Sequence, residues 1–467
     1  MIAHELTPAP DPVACCEQLA GLPYRIFLDS AQRGSPLGRY SFLTADPAAV
    51  VRRKGEDARG ALDEVRALLA PRVAAPIPGL PPFQTGAAGY LAYDWGRSLE
   101  RLPAPRFDDL DLPDVVFGIY DWVVAWDHET SRAWIIARDE KVRDRALALV
   151  YRDRGPGDPE RVALRTEYVE RPFQGRGVAR PPAYPVETDW IDPRLGLQSS
   201  FTHAAYLDAV ARVREYIFAG DIFQANLSQR FEAPLAESPW DLYRRLRTRN
   251  PAPFAAFIDL PECAVLSASP ERFMRVDAGR RVETRPIKGT RPRGVGPEHD
   301  AALGRALTES PKDRAENLMI VDLIRNDLSR VCEPGTVRVR ELFALEHFAT
   351  VHHLVSTVVG DLSPGLDALD LLTAAFPGGS ITGAPKLRAM EIIAELEPSA
   401  RSVYCGAIGY LSVAGELDTN IAIRTAVAKD GRVYLNAGGG IVADSNVEQE
   451  YRETLDKARG IIDALTS

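Results

Sequence analysis

Apolar residues recur with a helical period in several parts of the chain, and these stretches predict helices. After Thr202, a candidate N-cap, apolar positions at helical spacing run to Gly220, a candidate stop, and "IFQANLSQRFEA" then predicts a strand. "SPKDRAENLMIVDLIRNDLSRVCEPG" predicts a long helix with one apolar stripe, formed by Leu318, Val321, Ile324 and Leu328. A final helix is predicted from about Val447 to Leu465, with a stripe formed by Val447, Tyr451, Leu455, Ala458 and Ile462.

Runs of β-branched and aromatic residues between short turns predict strands elsewhere. "DVVFGIYDWVVAWDHETSRAWIIARD" predicts two strands joined by a polar turn at Asp127–Ser131, and "CAVLSASPERFMRV" and "GRRVETRPIKGTRPRG" predict successive strands. The segment 404–442 predicts three antiparallel strands, with turns at Ala414–Gly415 and Asp430–Gly431. Since strands follow strands through short turns, we expect an α+β fold with mainly antiparallel sheets rather than a doubly wound one.

A stretch rich in proline, glycine and arginine, with weak periodicity, separates two parts of the chain. We therefore predict an N-terminal region at 1–153, a connecting segment at 154–198 and a C-terminal region at 199–467. A chain of 467 residues is long enough for two to three ordinary domains, or for one large domain with a second core.

Composition and charge narrow the class of protein. Hydrophobic residues make up 45% of the chain and charged residues 26%, which is ordinary for a globular protein in water, and the net charge of −9 argues against nucleic-acid binding. No apolar run approaches the roughly 20 residues that a membrane-spanning helix needs. The five cysteines form no CxxC pair and the N-terminus lacks a signal peptide, so we expect a cytoplasmic protein with reduced thiols.

Two pairs of carboxylates occur at helical spacing in the two strongest predicted helices. Asp313 and Glu316 are three residues apart, as are Glu450 and Glu453, so each pair shares one helix face. We expect both of these faces to lie outside the apolar stripes of their helices. Two such helices facing each other would suit Mg²⁺, which favours a few carboxylates, water and an anionic substrate. Acids in the first turn of a helix also favour the helix dipole, and solvated acids remain the alternative for either pair alone.

Two glycine-rich segments resemble nucleotide-binding loops, but both lack essential parts. "GGSITGAPK" has no GK[ST], and "GGGIVA" has no βαβ unit around it and no acid about 20 residues further on. Backbone N–H groups that no side chain covers still bind carboxylates well. Near Arg424, the two loops indicate a pocket for a small anion; a tight strand exit is the alternative for either loop alone.

A set of longer motifs then carries a family resemblance. "IFQANLSQRF", "SASPERF", "RPIKGTRPR", "DRAENLMIVDLIRNDLSRVCEPGTV", "HHLVSTV", "FPGGSITGAPKLRAMEIIAELEP" and "YCGAIGYLS…DTNIAIRTAV…NAGGGIVADSNVEQEYRETLDKA" occur in this order. Together they resemble the chorismate-binding enzymes: anthranilate, aminodeoxychorismate, isochorismate and salicylate synthases. The likeness is dense from about Phe201 onward and looser before it. It implies that 199–467 is the chorismate-binding catalytic domain of a fold with two packed, mostly antiparallel sheets and flanking helices.

The resemblance also implies roles for individual residues. Glu316 and Glu453 would bind Mg²⁺ directly, with Asp313 and Glu450 acting through water. The substrate's carboxylates would lie against Tyr404, Arg424 and Gly438, Gly439 and Gly440. Gly289 and Thr290 would line the ring, with His353 close to it. Glu271 resembles the acid that protonates a departing ring hydroxyl.

The single lysine in "ETRPIKGTRPRG" is expected to decide the reaction. Family members that make anthranilate resemble "PIAGT" here, and those that make 4-amino-4-deoxychorismate resemble "PIKGT", with the lysine that this chain has at position 288. Its amine would attack C2 of chorismate and later be displaced by ammonia. A lysine with pKa about 10.4 is only about 0.04% neutral at pH 7, so its pKa must be depressed. Burial or the cations Arg285, Arg291 and Arg293 are the candidates. A plain salt bridge from Lys288 to Glu271 or to the substrate is the alternative.

Other residues bear on the competing reactions and on partners. Isochorismate and salicylate synthases resemble this chain near Gln224 but carry a lysine there, and a glutamine is no base for activating water at neutral pH. No amidotransferase segment is present, so ammonia would come from a separate glutamine amidotransferase.

Anthranilate synthase component I is the main alternative function, and a non-catalytic subunit that binds chorismate or tryptophan is the second. Asp29 and Ser30 lie where relatives hold tryptophan; a plain strand end is the alternative.

Overall fold

A computed structural model describes residues 1–151, 189–347 and 351–466 of the chain. Within these ranges the helices are α1 (Pro12–Gln18), α2 (Ala61–Leu69), α3 (Gly96–Leu99), α4 (Glu140–Val150), α5 (His203–Phe218), α6 (Pro239–Arg249), α7 (Pro297–Glu309), α8 (Pro311–Ser329), α9 (Ala368–Ala375), α10 (Lys386–Leu396) and α11 (Val447–Leu465). Side-chain caps mark several helix starts: the Thr202 hydroxyl accepts from the Ala205 amide and Ser310 accepts from Asp313.

The strands in the same ranges are β1 (Ile2–Leu6), β2 (Arg25–Asp29), β3 (Tyr40–Thr44), β4 (Ala49–Arg53), β5 (Gly86–Leu91), β6 (Val115–Tyr120), β7 (Trp122–Asp127), β8 (Arg132–Ala137), β9 (Trp190–Asp192), β10 (Leu197–Ser199), β11 (Gln224–Pro234), β12 (Phe254–Asp259), β13 (Ala264–Ser269), β14 (Arg272–Val276), β15 (Arg281–Thr284), β16 (Ile287–Pro292), β17 (Arg338–His347), β18 (Val351–Asp361), β19 (Gly383–Ala384), β20 (Ala407–Ser412), β21 (Leu417–Ile421), β22 (Thr425–Lys429) and β23 (Arg432–Ile441).

Two large sheets contain these strands. One has 13 strands in the order β1-β8-β7-β3-β2-β12-β13-β22-β23-β11-β10-β9, with β19 on β11; the other has ten in the order β16-β18-β15-β14-β21-β20-β5-β6-β4, with β17 on β18. Strands within each sheet pair antiparallel, as in the registers of β11 with β23 and β20 with β5. An apolar layer with residues from both sheets, including Tyr90, Val123 and Val265, lies between them, and helices cover the outer faces. The α+β prediction is confirmed.

Two predicted strand counts were too low, each because the chain passes from one sheet to the other within a run of strand residues. The segment 114–139 forms three strands, since β6 joins the ten-stranded sheet and β7 and β8 join the 13-stranded one after a break at Asp121. The segment 404–442 forms four strands, with the crossing at 422–424. The turns at 414–415 and 430–431 are present, with Gly415 at φ 91° and Gly431 at φ 71°.

The apolar stripe of α8 was also predicted partly wrongly. Leu328 and Val321 are buried, but Leu318 is 46% exposed, and Ile320 takes its place in the core. On α11 the carboxylates are not both off the buried face, because Glu450 itself is only 6% exposed. The helix bounds agree with prediction. In α8 the predicted Val321, Ile324 and Leu328 are buried, whereas in α11 the buried face is shifted by about one residue from the predicted stripe and keeps only Ala458 of it.

The N-terminal and C-terminal regions contribute strands to both sheets. In the 13-stranded sheet β2 pairs with β12, and in the ten-stranded sheet β5 pairs with β20. Most of the predicted connecting segment, 154–188, lies outside the described residues; its last part forms β9 and begins β10. Among the described residues no helix is long and apolar enough to cross a membrane. All five cysteines are buried and unpaired.

Candidate active site

A pocket of about 650 Å³ lies where the two sheets and two helices meet. β16 and β18 line it from the ten-stranded sheet, β11 and β23 line it from the 13-stranded sheet, and α8 and α11 supply acids. The structure brings nearly all of the candidate residues to this pocket: Glu271, Lys288, Gly289, Thr290, Asp313, Glu316, His353, Tyr404, Arg424, Gly438, Gly440, Glu450 and Glu453. These contacts show proximity, and the individual roles stay predictions.

The four carboxylates line the pocket. Asp313 lies against Gly289 on β16, and Glu450 and Glu453 lie against Gly439 on β23, where an added Cβ atom would be 3.0 Å from Glu450 Oε2 and 3.2 Å from Glu453 Oε1. A side chain at position 439 would therefore move these two carboxylates by a few tenths of an ångström. Burial raises the pKa of Glu316, with Lys288 and Lys312 opposing it, and burial also raises the pKa of Glu450, against a hydrogen bond from Ser445. The site therefore concentrates negative charge.

Lysines that sequence reasoning missed accompany both predicted metal ligands. Lys457 Nζ lies 2.6 Å from Glu453 Oε1 and donates to the Gly438 carbonyl at 2.9 Å. Lys312 Nζ is 3.9 Å from Glu316 Oε1. Burial would raise the pKa of Glu453, but Lys457 beside it makes the net shift downward. Both pairs have i,i+4 spacing in a helix, which is a signal that the sequence contained.

The acids fit a magnesium ion that completes its coordination with a bound carboxylate and water. Among the described residues, no three His, Cys, Asp or Glu side chains converge closely enough to enclose a metal on their own. Mg²⁺ retains several waters and commonly binds through one or two protein carboxylates plus an anionic substrate. The Asp313 carboxylate forms an ion pair with Arg291, whose Nη2 lies 2.8 Å from Asp313 Oδ2.

Lys288 and Glu271 face the same pocket, and burial shifts both toward the uncharged form. Burial raises the pKa of Glu271 to about 7, opposed by a hydrogen bond from Ser380 and by the charge of Lys288. Burial lowers the pKa of Lys288; Lys457 lowers it further, and Glu316 and Glu271 oppose the shift. Lys288 forms no ion pair within 4 Å in the described part of the chain, so the salt-bridge alternative has no support there.

The three arginines around Lys288 are not the cations that depress its pKa. Arg285 pairs with Glu346, Arg291 with Asp313, and Arg293 with Asp300 at 2.7 Å. Of the two candidate causes, burial is therefore the main one, and the arginines instead pair with acids on neighbouring elements. The nearby ammonium is Lys457, from a helix 169 residues further along the chain.

The opposite side of the pocket offers donors for an anion. Arg424, at φ 49°, forms no ion pair with any acid in the described ranges, and its Nη1 makes only a long 3.5 Å contact with Asn250. A buried guanidinium without a carboxylate partner favours an anionic ligand. Burial and the charge of Arg424 lower the pKa of His353 to about 3, so this imidazole is neutral; its Nδ1 lies 2.9 Å from the Thr290 hydroxyl.

Gln224 lies against Gly440 at the edge of the pocket, since a Cβ atom on Gly440 would lie 2.7 Å from Gln224 Nε2. Gln224 is fully buried at the start of β11, and neither polar atom of its amide has a hydrogen-bond partner among the described residues.

The Asp29–Ser30 pair lies apart from these groups and lines a second cavity of about 270 Å³. Arg247 and Tyr243 already bind the Asp29 carboxylate, at 2.7 Å and 3.2 Å, so it is engaged within the protein. The prediction of a tryptophan site there stays a prediction.

The α+β fold, with a pocket lined by acids, lysines and Arg424 between two antiparallel sheets, defines a class of protein, and comparison with known proteins gives its family. The chain belongs to the chorismate-binding enzymes, whose family model matches residues 24–463. It is 43% identical to aminodeoxychorismate synthase component 1 of Salmonella typhimurium, over 95% of this chain and 93% of the relative. It is also 43% identical to anthranilate synthase component 1 of Streptomyces coelicolor, over 97% and 86%. The structure of anthranilate synthase component I from Streptococcus pneumoniae superimposes with a TM-score of 0.74 at 31% identity, covering 92% of this chain and 93% of that one.

Proposed function

We propose that the chain is component I of an aminodeoxychorismate synthase, which converts chorismate and ammonia to 4-amino-4-deoxychorismate and water. The observation that carries the proposal is the buried, unpaired amine of Lys288 beside the acid Glu271 in the pocket. Relatives with this name are 41% to 43% identical to the chain over nearly its whole length. The product would serve the synthesis of 4-aminobenzoate and folate, and unpaired cysteines agree with a cytoplasmic setting.

In the first step Lys288 acts as the nucleophile and Glu271 as the acid. The neutral amine attacks C2 of the ring, the two ring double bonds shift, and the C4–O bond breaks. Glu271 donates its proton to the departing hydroxyl, which leaves as water. The secondary ammonium formed on Lys288 then returns one proton to the Glu271 carboxylate, which leaves a neutral secondary amine bonded to C2. Both groups must start uncharged, and burial shifts both pKa values in that direction.

In the second step ammonia attacks C4 from the same pocket. The double bonds shift back, the C2–N bond to Lys288 breaks, and one proton passes from the new ammonium to the departing amine. Because ammonia is mostly ammonium at neutral pH, we propose that a glutamine amidotransferase subunit delivers it. The numbered component in the relatives' names agrees with a partner of this kind.

We propose Mg²⁺ as the cofactor, held by Glu316 and Glu453 with Asp313 and Glu450 behind them. When bound, the ion supplies positive charge for the ring carboxylate. Arg424, Tyr404 and the glycines of β23 are proposed to hold the substrate's carboxylates, and Gly289, Thr290 and His353 to line the ring. The open side of the pocket at the half-exposed Glu453 carboxylate leaves room for water.

Anthranilate synthase component I is the second candidate, because a relative with that name is also 43% identical to the chain. It would share the acids and the anion-binding groups. It differs in adding ammonia at C2, the carbon that Lys288 would occupy. A non-catalytic subunit has little support, since the lysine, the acid and the carboxylates all line one pocket.

Product identification tests the proposal. We would incubate the chain and its Lys288→Ala variant with chorismate, Mg²⁺ and an ammonium salt at mildly alkaline pH, and resolve the products by mass. We expect an amino-deoxychorismate that keeps its enolpyruvyl group, and a loss of at least about 100-fold in the variant. Anthranilate with free pyruvate, or an unimpaired variant, would contradict the proposal.

A further inference from the structure

The side chain that contacts the acid Glu271 most closely is Ser380. The Ser380 hydroxyl donates to Glu271 Oε1 at 2.8 Å, and the two residues are 7% and 4% exposed. Ser380 lies in the turn 379–381, which precedes β19, and lines the pocket. A serine hydroxyl has one proton to donate, and in this contact it is given to Oε1. While Ser380 donates to Oε1, the proton of a neutral Glu271 is carried on Oε2.

Other groups also face Glu271 from the surrounding elements. Lys288 on β16 and Lys457 on α11 act on it through their charges, and the Ile287 amide is a further donor. Burial raises the pKa of Glu271 to about 7, and the Ser380 hydrogen bond is the largest opposing influence. The hydroxyl thus has two effects: it orients the carboxyl and it stabilises the carboxylate that remains after proton donation.

A buried ion pair holds the turn that carries Ser380. Arg401 Nη1 donates to the Ile381 carbonyl at 2.9 Å, and Asn226 Nδ2 donates to the same oxygen at 3.1 Å. Arg401 also binds Glu397 through two parallel hydrogen bonds of 2.9 and 2.7 Å, and their side chains are 1% and 5% exposed. A desolvated ion pair contributes little net stability, so we interpret this pair as one that fixes the position of the turn 379–381.

The same pair reaches two further walls of the pocket. Arg401 Nη2 donates to the Asn226 carbonyl on β11, and Glu397 accepts from the amide and the hydroxyl of Ser228 on the same strand. The Arg401 guanidinium also lies 5.9 Å from the centroid of the Tyr404 ring. One ion pair therefore connects β11, the turn 379–381 and Tyr404.

We propose that Ser380 is a positioning residue for Glu271, and that the Arg401–Glu397 pair holds Ser380 and Tyr404 in place around the substrate. The Ser380 hydroxyl and the Ile287 amide are the two donors that orient the Glu271 carboxyl among the described residues. This inference rests on the proposed role of Glu271 as the acid.

The first test compares substitutions of Ser380 that keep or remove the hydroxyl. We expect Ser380→Ala and Ser380→Cys to lower kcat about 10- to 100-fold with KM changed less than about threefold, and Ser380→Thr to retain most of the activity. Because Ser380→Ala removes a donor that stabilises the Glu271 carboxylate, the pKa of Glu271 should rise. The fall of kcat at high pH should therefore begin at a higher pH in this variant than in the wild type. An unchanged kcat and pH profile in Ser380→Ala would overturn the inference.

A double-mutant cycle separates this inference from the proposed function. In the background of Glu271→Gln, Ser380→Ala should cause no further loss, because Ser380 acts through the carboxyl. Full additivity of the two losses would overturn the positioning role. If Glu271→Gln keeps normal activity, the proposed acid is wrong; if it abolishes activity while Ser380→Ala does nothing, only the further inference fails.

The second test concerns the ion pair. Arg401→Met alone leaves a buried carboxylate unpaired and should destabilise the fold strongly, so the informative variant is Glu397→Met/Arg401→Met. We expect the double variant to recover most of the thermal stability while kcat stays at least about 10-fold below that of the wild type. Recovery of kcat together with stability would show that the pair is only structural and would overturn its part in the proposal.

Discussion

At the scale of single residues, Lys288 and Glu271 are shifted in opposite directions by the same burial. The pKa of the lysine is lowered and that of the glutamate is raised to about 7, so each moves toward its neutral form near neutral pH. An acid that must give a proton and an amine that must attack both need that form. Burial of these two groups therefore prepares a nucleophile and an acid without a separate base.

The raised pKa of Glu271 has a consequence for stability that is independent of catalysis. In the folded protein its proton is held up to about pH 7, whereas the unfolded chain releases it near 4.5, so stability is lost as pH rises between these values. We expect Glu271→Gln to raise the free energy of unfolding at pH 8 by up to about 3 kcal/mol, at about 1.4 kcal/mol per pKa unit, and to change little at pH 4. Denaturant titrations at both pH values measure this. Equal effects at both would contradict it.

Sequence reasoning found the residues of the pocket better than their contacts. Motifs placed Glu316, Glu453 and Arg424 in one site although the sequence separates them widely, and the structure brings them to one pocket. The pairing of the arginines near Lys288 was not predictable, since a strand residue's partner depends on which element packs beside it. Ser380 carried no signal of its own, because its role follows from a turn whose path only the fold determines.

At the scale of elements, α8 shows where a periodic pattern is ambiguous. Leu318 and Leu328 both fit an apolar period, but only Leu328 is fully buried, because the helix also turns acids toward the pocket. A helix with two functional faces leaves a narrow stripe for the core. The sequence alone therefore predicts the existence of such a helix well and its rotation less well.

This difference within α8 gives a matched pair of substitutions. Leu328→Ala should lower the free energy of unfolding by about 2–5 kcal/mol, since it removes a buried side chain from a packed core. Leu318→Ala, in the same helix and with the same chemistry, should change it by less than about 1 kcal/mol, because the side chain is 46% exposed. Chemical denaturation of both variants measures the contrast, and similar losses would contradict the observed rotation.

The glycine run of β23 makes a second prediction at this scale. In Gly439→Ala the new Cβ would lie 3.0–3.2 Å from the carboxylates of Glu450 and Glu453 and would displace them. We expect the apparent affinity for Mg²⁺, measured by titrating activity, to fall about tenfold with little loss of stability.

Gly60→Ala is the control for Gly439→Ala, because a Cβ at Gly60 meets no atom within 4 Å. It should leave the Mg²⁺ titration unchanged. An unaltered titration in Gly439→Ala would show that these carboxylates do not need the space that the glycine provides, and would weaken the proposed metal site.

At the scale of the whole molecule, both regions of the chain build both sheets. The proline- and glycine-rich stretch indicates a boundary in sequence, yet β2 lies on β12 and β5 lies on β20. Composition reveals where a chain lacks periodic structure, but it contains no information about which strands pair across that gap. The fold class was predictable because it depends on the local pattern of strands and helices. The order of strands in each sheet was not predictable, because it depends on pairing between distant segments.

We expect the fragment 199–467, expressed alone, not to fold. Without the N-terminal region, β12 and β20 would each lose a neighbouring strand and expose an apolar face and an open edge. Circular dichroism and limited proteolysis of the fragment, with the full chain as control, measure this. Adding residues 1–153 as a separate chain should restore protection from proteolysis. A protease-resistant fragment with cooperative melting would instead support an independent C-terminal domain.

The position of the pocket at the meeting of the two sheets has a practical consequence. Lys288 comes from the ten-stranded sheet and Gly438 from the 13-stranded one, so a ligand that contacts both residues would bridge the two sheets. Such a ligand raises the free energy of unfolding, by about 2.7 kcal/mol at 100 times its Kd. A thermal-shift screen would therefore rank substrates, metal ions and inhibitors by occupancy alone, before any product assay exists.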